Sequence, residues 1–143
     1  MIFWITALVA FLSDQLTKLL IRQTLSAGQS VPIFEQYFHF TYVRNPAGAF
    51  GLIPLGKPFF IIAALIVVIG IIIYKLTHPG LGRLANLAMG LVLGGAAGNL
   101  FDRLFVGEVV DWLDFRIWPV FNIADMVLVV GLSLFGLFII RSN

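Results

Sequence analysis

The chain contains no cysteine, which excludes a disulfide framework, a thiol nucleophile and a thiolate metal site. It has only two histidines, His39 and His78, far apart in sequence. A zinc site is therefore not expected, since zinc takes three or four nitrogen, sulfur or carboxylate ligands. Charge is scarce as well. Only 11% of the 143 residues are Asp, Glu, Lys or Arg, under half the share usual in soluble domains, while 60% are hydrophobic and mean hydropathy is +1.02. Net charge is +2 with no Lys- or Arg-rich run, so nucleic acid is not an expected partner. The apolar stretch from Met1 to Leu12 lacks a basic leader and a small-residue cleavage site, and it reads as a retained transmembrane helix.

What is present is long apolar runs. Four of them, roughly Ile2–Ile21, Pro58–Leu76, Leu84–Leu104 and Ile123–Ile140, are long enough to cross ~30 Å of hydrocarbon at ~1.5 Å per residue. The expected architecture is a single membrane-embedded domain, residues 1–143, of four transmembrane helices. In the polar stretch between the first two runs, Phe38, Phe40 and Tyr42 alternate with His39, Thr41 and Val43. Period two predicts a strand or hairpin with an aromatic face toward lipid or substrate. The short turn Thr77–Gly82 joins the second and third helices, and Phe105–Val120 reads as a loop.

Four spans place both termini on one side. Counting only Lys and Arg, the two long loops with Arg22, Arg44, Lys57, Arg103 and Arg116 outweigh Lys75, Arg83 and Arg141. Several of the former adjoin acids and read as paired at a site, and the Lys75–Arg83 turn is the denser basic segment. The termini are accordingly placed in the cytoplasm.

Carboxylates near hydrocarbon are costly, so each is a functional candidate. Asp14, Lys18, Asn99, Asp102, Arg103 and Asp125 all fall near one membrane boundary, and Asn45, Asp111 and Asp114 come from loops on that side. Asp111 and Asp125 are candidates for a dyad that shares a proton, activates water and protonates a leaving amine. The plainer readings are a solvated loop acid for Asp111 and, for Asp125, the N3 position of a helix capped by Asn122. Asp114 competes with Asp111. Asn99, Asp102 and Arg103 share one helical face, either orienting the dyad or ending the helix in an Asp–Arg pair. Asp14 and Lys18, at i and i+4, read as an ion pair with Lys18 snorkelling to the interface. Gly90, Gly94 and Gly98 make a small face for close helix approach, within the chain or to a substrate helix.

Five blocks carry a resemblance: Asp14-Gln15-Leu16-Thr17-Lys18, Asn45 through Gly51, Gly94 through Arg103, Val109-Val110-Asp111 and Phe121 through Asp125. Together they resemble the lipoprotein signal peptidase (signal peptidase II) family over the whole chain. The resemblance implies an aspartic endopeptidase of the bacterial inner membrane. Such an enzyme removes the signal peptide from diacylglyceryl-modified prolipoproteins, cutting just before the lipidated cysteine. It implies four transmembrane helices, a small extracytoplasmic β-sheet cradle and a short mobile extracytoplasmic helix. It implies no metal or cofactor, membrane lipid as surroundings and inhibition by the cyclic peptide globomycin; a monomer is expected. The family's catalytic pair maps onto Asp111 and Asp125, and its supporting residues onto Asp14, Lys18, Asn45, Gly48, Asn99, Asp102, Arg103 and Asn122. Trp112 stands where many relatives have phenylalanine. A small transporter or proton-conducting protein using the same acids remains the competing reading.

Overall fold

A helix that is apolar all round must be covered by lipid or by other helices, and the four helices divide along that line. The computed structural model describes residues 1–46 and 56–142. Its helices are α1 (Ile2–Thr24), α2 (Lys57–Thr77), α3 (Arg83–Phe101) and α4 (Ile123–Ser142). All four are long and apolar enough to cross a membrane. The expected spans are thus met to within a few residues at each end. Over the α3 span 67% of residues are buried, against none over α2. α3 is therefore the central post, and α1, α2 and α4 pack around it with their outer faces bare.

The small face of α3 lets the neighbours in. A Cβ at Gly94 would lie 2.6 Å from both the Ala7 carbonyl and the Ala10 Cβ of α1, and one at Gly90 would meet the Phe3 carbonyl at 2.7 Å. On the other flank, a Cβ at Gly95 would lie 2.5 Å from the Ala124 carbonyl of α4. The small face thus packs within the chain, on two helices, and leaves no groove along it for a substrate helix.

α3 continues into a π-helical turn, Asp102–Val106, of which Asp102 and Arg103 are buried, and the chain reverses at Gly107, whose φ of +102° suits glycine. The next segment, expected as loop, is strand β3 (Val109–Asp114), buried at every residue. A strand covered on both faces shows no alternation of polar and apolar side chains, so period two does not reveal it. With β1 (Ser30–Phe34) and β2 (Phe38–Asn45) it forms an antiparallel sheet in the order β1-β2-β3. Among the described residues there is no further short helix beyond these elements.

The pairing of β2 with β3 shifts register between Phe40 and Val43. Before the shift, Phe40 lies opposite Leu113; after it, Val43 lies opposite Asp111 and Asn45 opposite Val109. Asn45 and Asp111 meet on one face of this pair. Tyr42 goes to the other face, into a cluster with Ile21, Val110, Trp112 and Leu113, and Phe38 and Phe40 pack against that cluster. The aromatic face expected to meet lipid or substrate is thus spent largely on the protein's own core.

Candidate active site

The site is built outward from one buried lysine. Asp14 and Lys18 lie one turn apart on α1, and both are fully buried. Lys18 Nζ lies 2.7 Å from Asp14 Oδ2, 2.9 Å from Asp102 Oδ2 and 3.0 Å from Asn99 Oδ1. Three N–H bonds thus find three acceptors. This corrects the expectation that Lys18 snorkels: α3 brings a second carboxylate and an amide against it, and the ammonium is sealed between them. It also replaces the expected Asp–Arg helix end, since the ion pair of Asp102 is with Lys18.

Each carboxylate of this cluster also ties down backbone. Asp14 Oδ1 accepts the Ala124 N–H at 2.8 Å, one of the unpaired donors at the start of α4, where a negative charge is favoured. Asp102 Oδ2 accepts the Val110 N–H at 3.1 Å and so fastens β3 to the π-helical turn. Gln15, not singled out from the sequence, completes the cluster. Its Nε2 reaches Asp102 Oδ1, Asp14 Oδ2 and the Gly98 carbonyl, each at 3.1 Å. Its place three residues before Lys18 on the same helical face was the available signal.

Asn99 carries the order of this cluster to Asp125. Its Oδ1 accepts from Lys18, so its Nδ2 faces outward and donates to Asp125 Oδ1 at 2.8 Å. Asn122 is both a helix cap and a bridge. Its Oδ1 accepts the Asp125 N–H at 2.9 Å, and its own N–H lies 3.4 Å from Asp125 Oδ2, a reciprocal capping box. Its Nδ2 donates to Asp111 Oδ1 at 2.6 Å. Capping and site-building are therefore one arrangement. Asn45 Nδ2 donates to Asp111 Oδ2 at 2.9 Å. The β3 backbone is held against α4 by the N–H groups of Trp112 and Leu113 donating to the Phe121 carbonyl. Arg103 Nη1 donates to the Asn99 carbonyl at 3.2 Å, with its guanidinium 5.4 Å over the Phe60 ring.

Asp111 is 2% exposed, not a solvated loop acid. Burial, and then the charge of Asp125, push its carboxyl up to about 7. Asp114 meets different partners from Asp111. Burial would raise it, but bonds from the Thr41 hydroxyl (2.7 Å), the Arg116 N–H (2.9 Å) and the Arg116 guanidinium (3.0 Å) hold it below the usual carboxylate range. It is a turn anchor, and it steadies Arg116 at a φ of +66°.

The structure thus brings Asp14, Lys18, Asn45, Asn99, Asp102, Asp111, Asn122 and Asp125 into one connected network, with Arg103 at its edge. Gly48 lies outside the described residues. Among the described residues no group of three or more His, Asp or Glu could hold a metal ion. Asp111 opens on a cavity of about 200 Å³ with Val43, Arg44, Asn45, Pro46 and Pro119. Asp125 opens on an apolar groove of about 530 Å³ with Phe115, Trp118, Phe121, Met126 and Val129.

Residues 6–141 match the family described as signal peptidase (SPase) II. The lipoprotein signal peptidase of Desulfitobacterium hafniense (strain DSM 10664 / DCB-2) is 50% identical over 94% of this chain and 89% of its own length. That of Halothermothrix orenii is 43% identical over 95% and 93%. Two solved bacterial membrane enzymes, both determined by the in meso method, have the same fold. One superposes with a TM-score of 0.88 at 30% identity, covering 96% of this chain and 86% of the other. The second gives 0.85 at 30% identity over 97% and 92%.

Proposed function

The chain belongs to the signal peptidase II family and is a multi-pass membrane peptidase of prolipoproteins, and from that premise we propose that Asp111 and Asp125 are its catalytic pair. The observation that supports this most directly is Asn122, which bonds both carboxylates and so holds them in fixed relation. In the proposed reaction Asp125 is ionised and takes a proton from a water, whose oxygen attacks the scissile carbonyl carbon. Asp111 holds the shared proton and gives it to the carbonyl oxygen as the tetrahedral intermediate forms. Collapse of that intermediate breaks the C–N bond, with a proton passing to the leaving amine. A carboxyl at about 7 is suited to holding a proton in neutral conditions.

The supporting residues then have separable tasks. Asn99, held by Lys18, and Asn122 orient Asp125; Asn45 and Asn122 orient Asp111. Asp14 and Asp102 balance Lys18 and fix the start of α4 and β3. The substrate is a diacylglyceryl-modified prolipoprotein, cut before its lipidated cysteine, with no metal or cofactor. The enzyme works as a monomer in the bacterial inner membrane, termini cytoplasmic and site near the extracytoplasmic face, and globomycin blocks it. An apolar groove beside Asp125 supports a substrate that arrives from within the bilayer.

Purified enzyme with a synthetic prolipoprotein peptide tests the reading. The diacylglyceryl form should be cut before its cysteine far faster than the unmodified form, because each buried methylene contributes roughly 0.8 kcal/mol. Cleavage should persist in chelator. Equal rates for both forms in one detergent would point to a general membrane protease instead.

A further inference from the structure

A second cavity lies on the other face of the sheet, away from the proposed catalytic pair. It has a volume of about 420 Å³ and is lined by Arg22 from α1, Tyr42 and Arg44 from β2, Val106 and Glu108 beyond α3, and Val110 from β3. Asn45 bonds Asp111, Tyr42 lines this cavity, and Arg44 stands between the two sites and lines both. Two guanidinium groups from different elements converge here against one carboxylate. Among the described residues the ion pairs are Lys18 with Asp14 and Asp102, and Arg116 with Asp114; Arg22 and Arg44 are in none of them. The catalytic reading makes no use of either.

The surroundings indicate what such a pair would hold. Arg22 lies two residues before the end of α1, at the level of a membrane boundary. Below it runs a ladder of aromatic rings on the lipid side of α1 and α3. Phe105 is 73% exposed, its ring 4.7 Å from that of Phe101, which in turn lies 5.9 Å from Phe11. Phe11 and Arg22 are eleven residues apart, so they share one face of α1 and are separated by ~16 Å along it. That is about half the ~30 Å hydrocarbon thickness, the depth of one leaflet. A cationic mouth above a strip of exposed rings one leaflet deep matches a phosphodiester headgroup with an acyl chain beneath it.

We propose that this cavity binds an anionic glycerophospholipid of the surrounding bilayer, its phosphate between Arg22 and Arg44 and one acyl chain along Phe105, Phe101 and Phe11. The lipid is a resident of the sheet's rear face, where Ile21, Tyr42 and Val110 also pack. It braces the β-sheet against α1 from outside. The net positive mouth selects phosphatidylglycerol over phosphatidylcholine, and the aromatic strip selects a lipid over a free anion. Lipid retention is read without any cleavage, so the site stands or falls independently of the proteolytic mechanism.

Native mass spectrometry of the intact protein released from nanodiscs of mixed phosphatidylglycerol and phosphatidylcholine provides the test, with titration of each lipid in detergent. One phosphatidylglycerol should stay bound in preference to phosphatidylcholine. Arg22→Gln with Arg44→Gln should weaken phosphatidylglycerol binding roughly thirty-fold and leave phosphatidylcholine binding unchanged. The charge-preserving Arg22→Lys with Arg44→Lys should keep most of the affinity. If the glutamine pair does not fold, Arg44→Gln alone, at an exposed position, should show about a five-fold loss. Inorganic phosphate and glycerophosphoglycerol, which lack acyl chains, should not displace the lipid. Equal phosphatidylglycerol retention in the glutamine variants overturns the proposal. Displacement by inorganic phosphate also overturns it and makes the cavity a site for free anions.

Discussion

Asp111 is where burial and chemistry pull in opposite directions. Its carboxyl is pushed from 3.8 to about 7 by desolvation and the Asp125 charge. The folded state therefore holds this proton more tightly than the unfolded chain. As pH rises between those two values the unfolded chain releases the proton first, and the fold loses stability; above about 7 the loss is complete. Asp111→Asn removes the titration, so its melting temperature relative to the parent should rise from pH 4 to pH 8. The gain is bounded by about 4 kcal/mol for the shift, less about 1 kcal/mol because one of its two amide donors would then face an NH2 group. A pH-independent difference would mean that Asp111 is not the protonated partner. Cleavage should fall as pH rises through about 7, be abolished by Asp111→Asn and Asp125→Asn, and survive Asp114→Asn. At Lys18 the stake is structural: Lys18→Met leaves Asp14 and Asp102 buried without their cation, a loss of about 3–5 kcal/mol by analogy with broken buried pairs, readable by thermal unfolding in detergent.

At the scale of elements, the contact of α3 with α4 places Asp125. A methyl on Gly95 would press on the Ala124 carbonyl, backbone that cannot rotate away, one residue before Asp125. Gly95→Ala should therefore cost about 1–3 kcal/mol in stability and lower kcat by shifting α4. Gly136→Ala, on α4, meets nothing among the described residues within 4 Å and should be neutral or stabilising by up to about 1 kcal/mol. Parallel melting curves and cleavage assays separate the two, and equal behaviour would show that α4 position is not what Gly95 protects. The helices are legible in the sequence because a lipid-crossing segment declares itself by length and hydropathy. β3 is not: it lies between Asn122, which bonds Asp111, and the cluster of Tyr42 and Trp112, so both of its faces are covered. Among the described residues the buried Trp112 ring nitrogen has no hydrogen-bond partner, and nothing there explains why tryptophan occupies this place.

At the scale of the whole molecule, the distribution of charge bears on sidedness. The placement of the termini in the cytoplasm sets aside the Lys and Arg of the long loops as paired. Arg116 is indeed paired with Asp114, but Arg22 and Arg44 form no ion pair among the described residues. A lipid phosphate between them would add to the single counter-charge of Glu108 in that cavity. Since the chain has no cysteine, single introduced cysteines report cleanly. One at Gln29, between α1 and β1, should react with an impermeant reagent from outside intact cells. One at Gly80, between α2 and α3, should react only after permeabilisation. The reverse pattern would put the site on the cytoplasmic side and restore the simple count of basic residues.

Length and hydropathy by themselves determined four spans, and the order of polar blocks determined the family, because both are local properties that lipid and chemistry impose on consecutive residues. Which acid stands in the site was not local. Asp111 and Asp114 are three residues apart with similar surroundings in sequence; the partners each meets in the fold, Asn122 for one and Arg116 for the other, separate them. The pairing that brings Asn45 to Asp111 and the closure of α3 over Lys18 are likewise tertiary. Lys18 would have reached water on an isolated helix. In the folded chain two carboxylates and an amide take the place of that water, and that exchange of water for fixed partners is what converts scattered polar residues into one site.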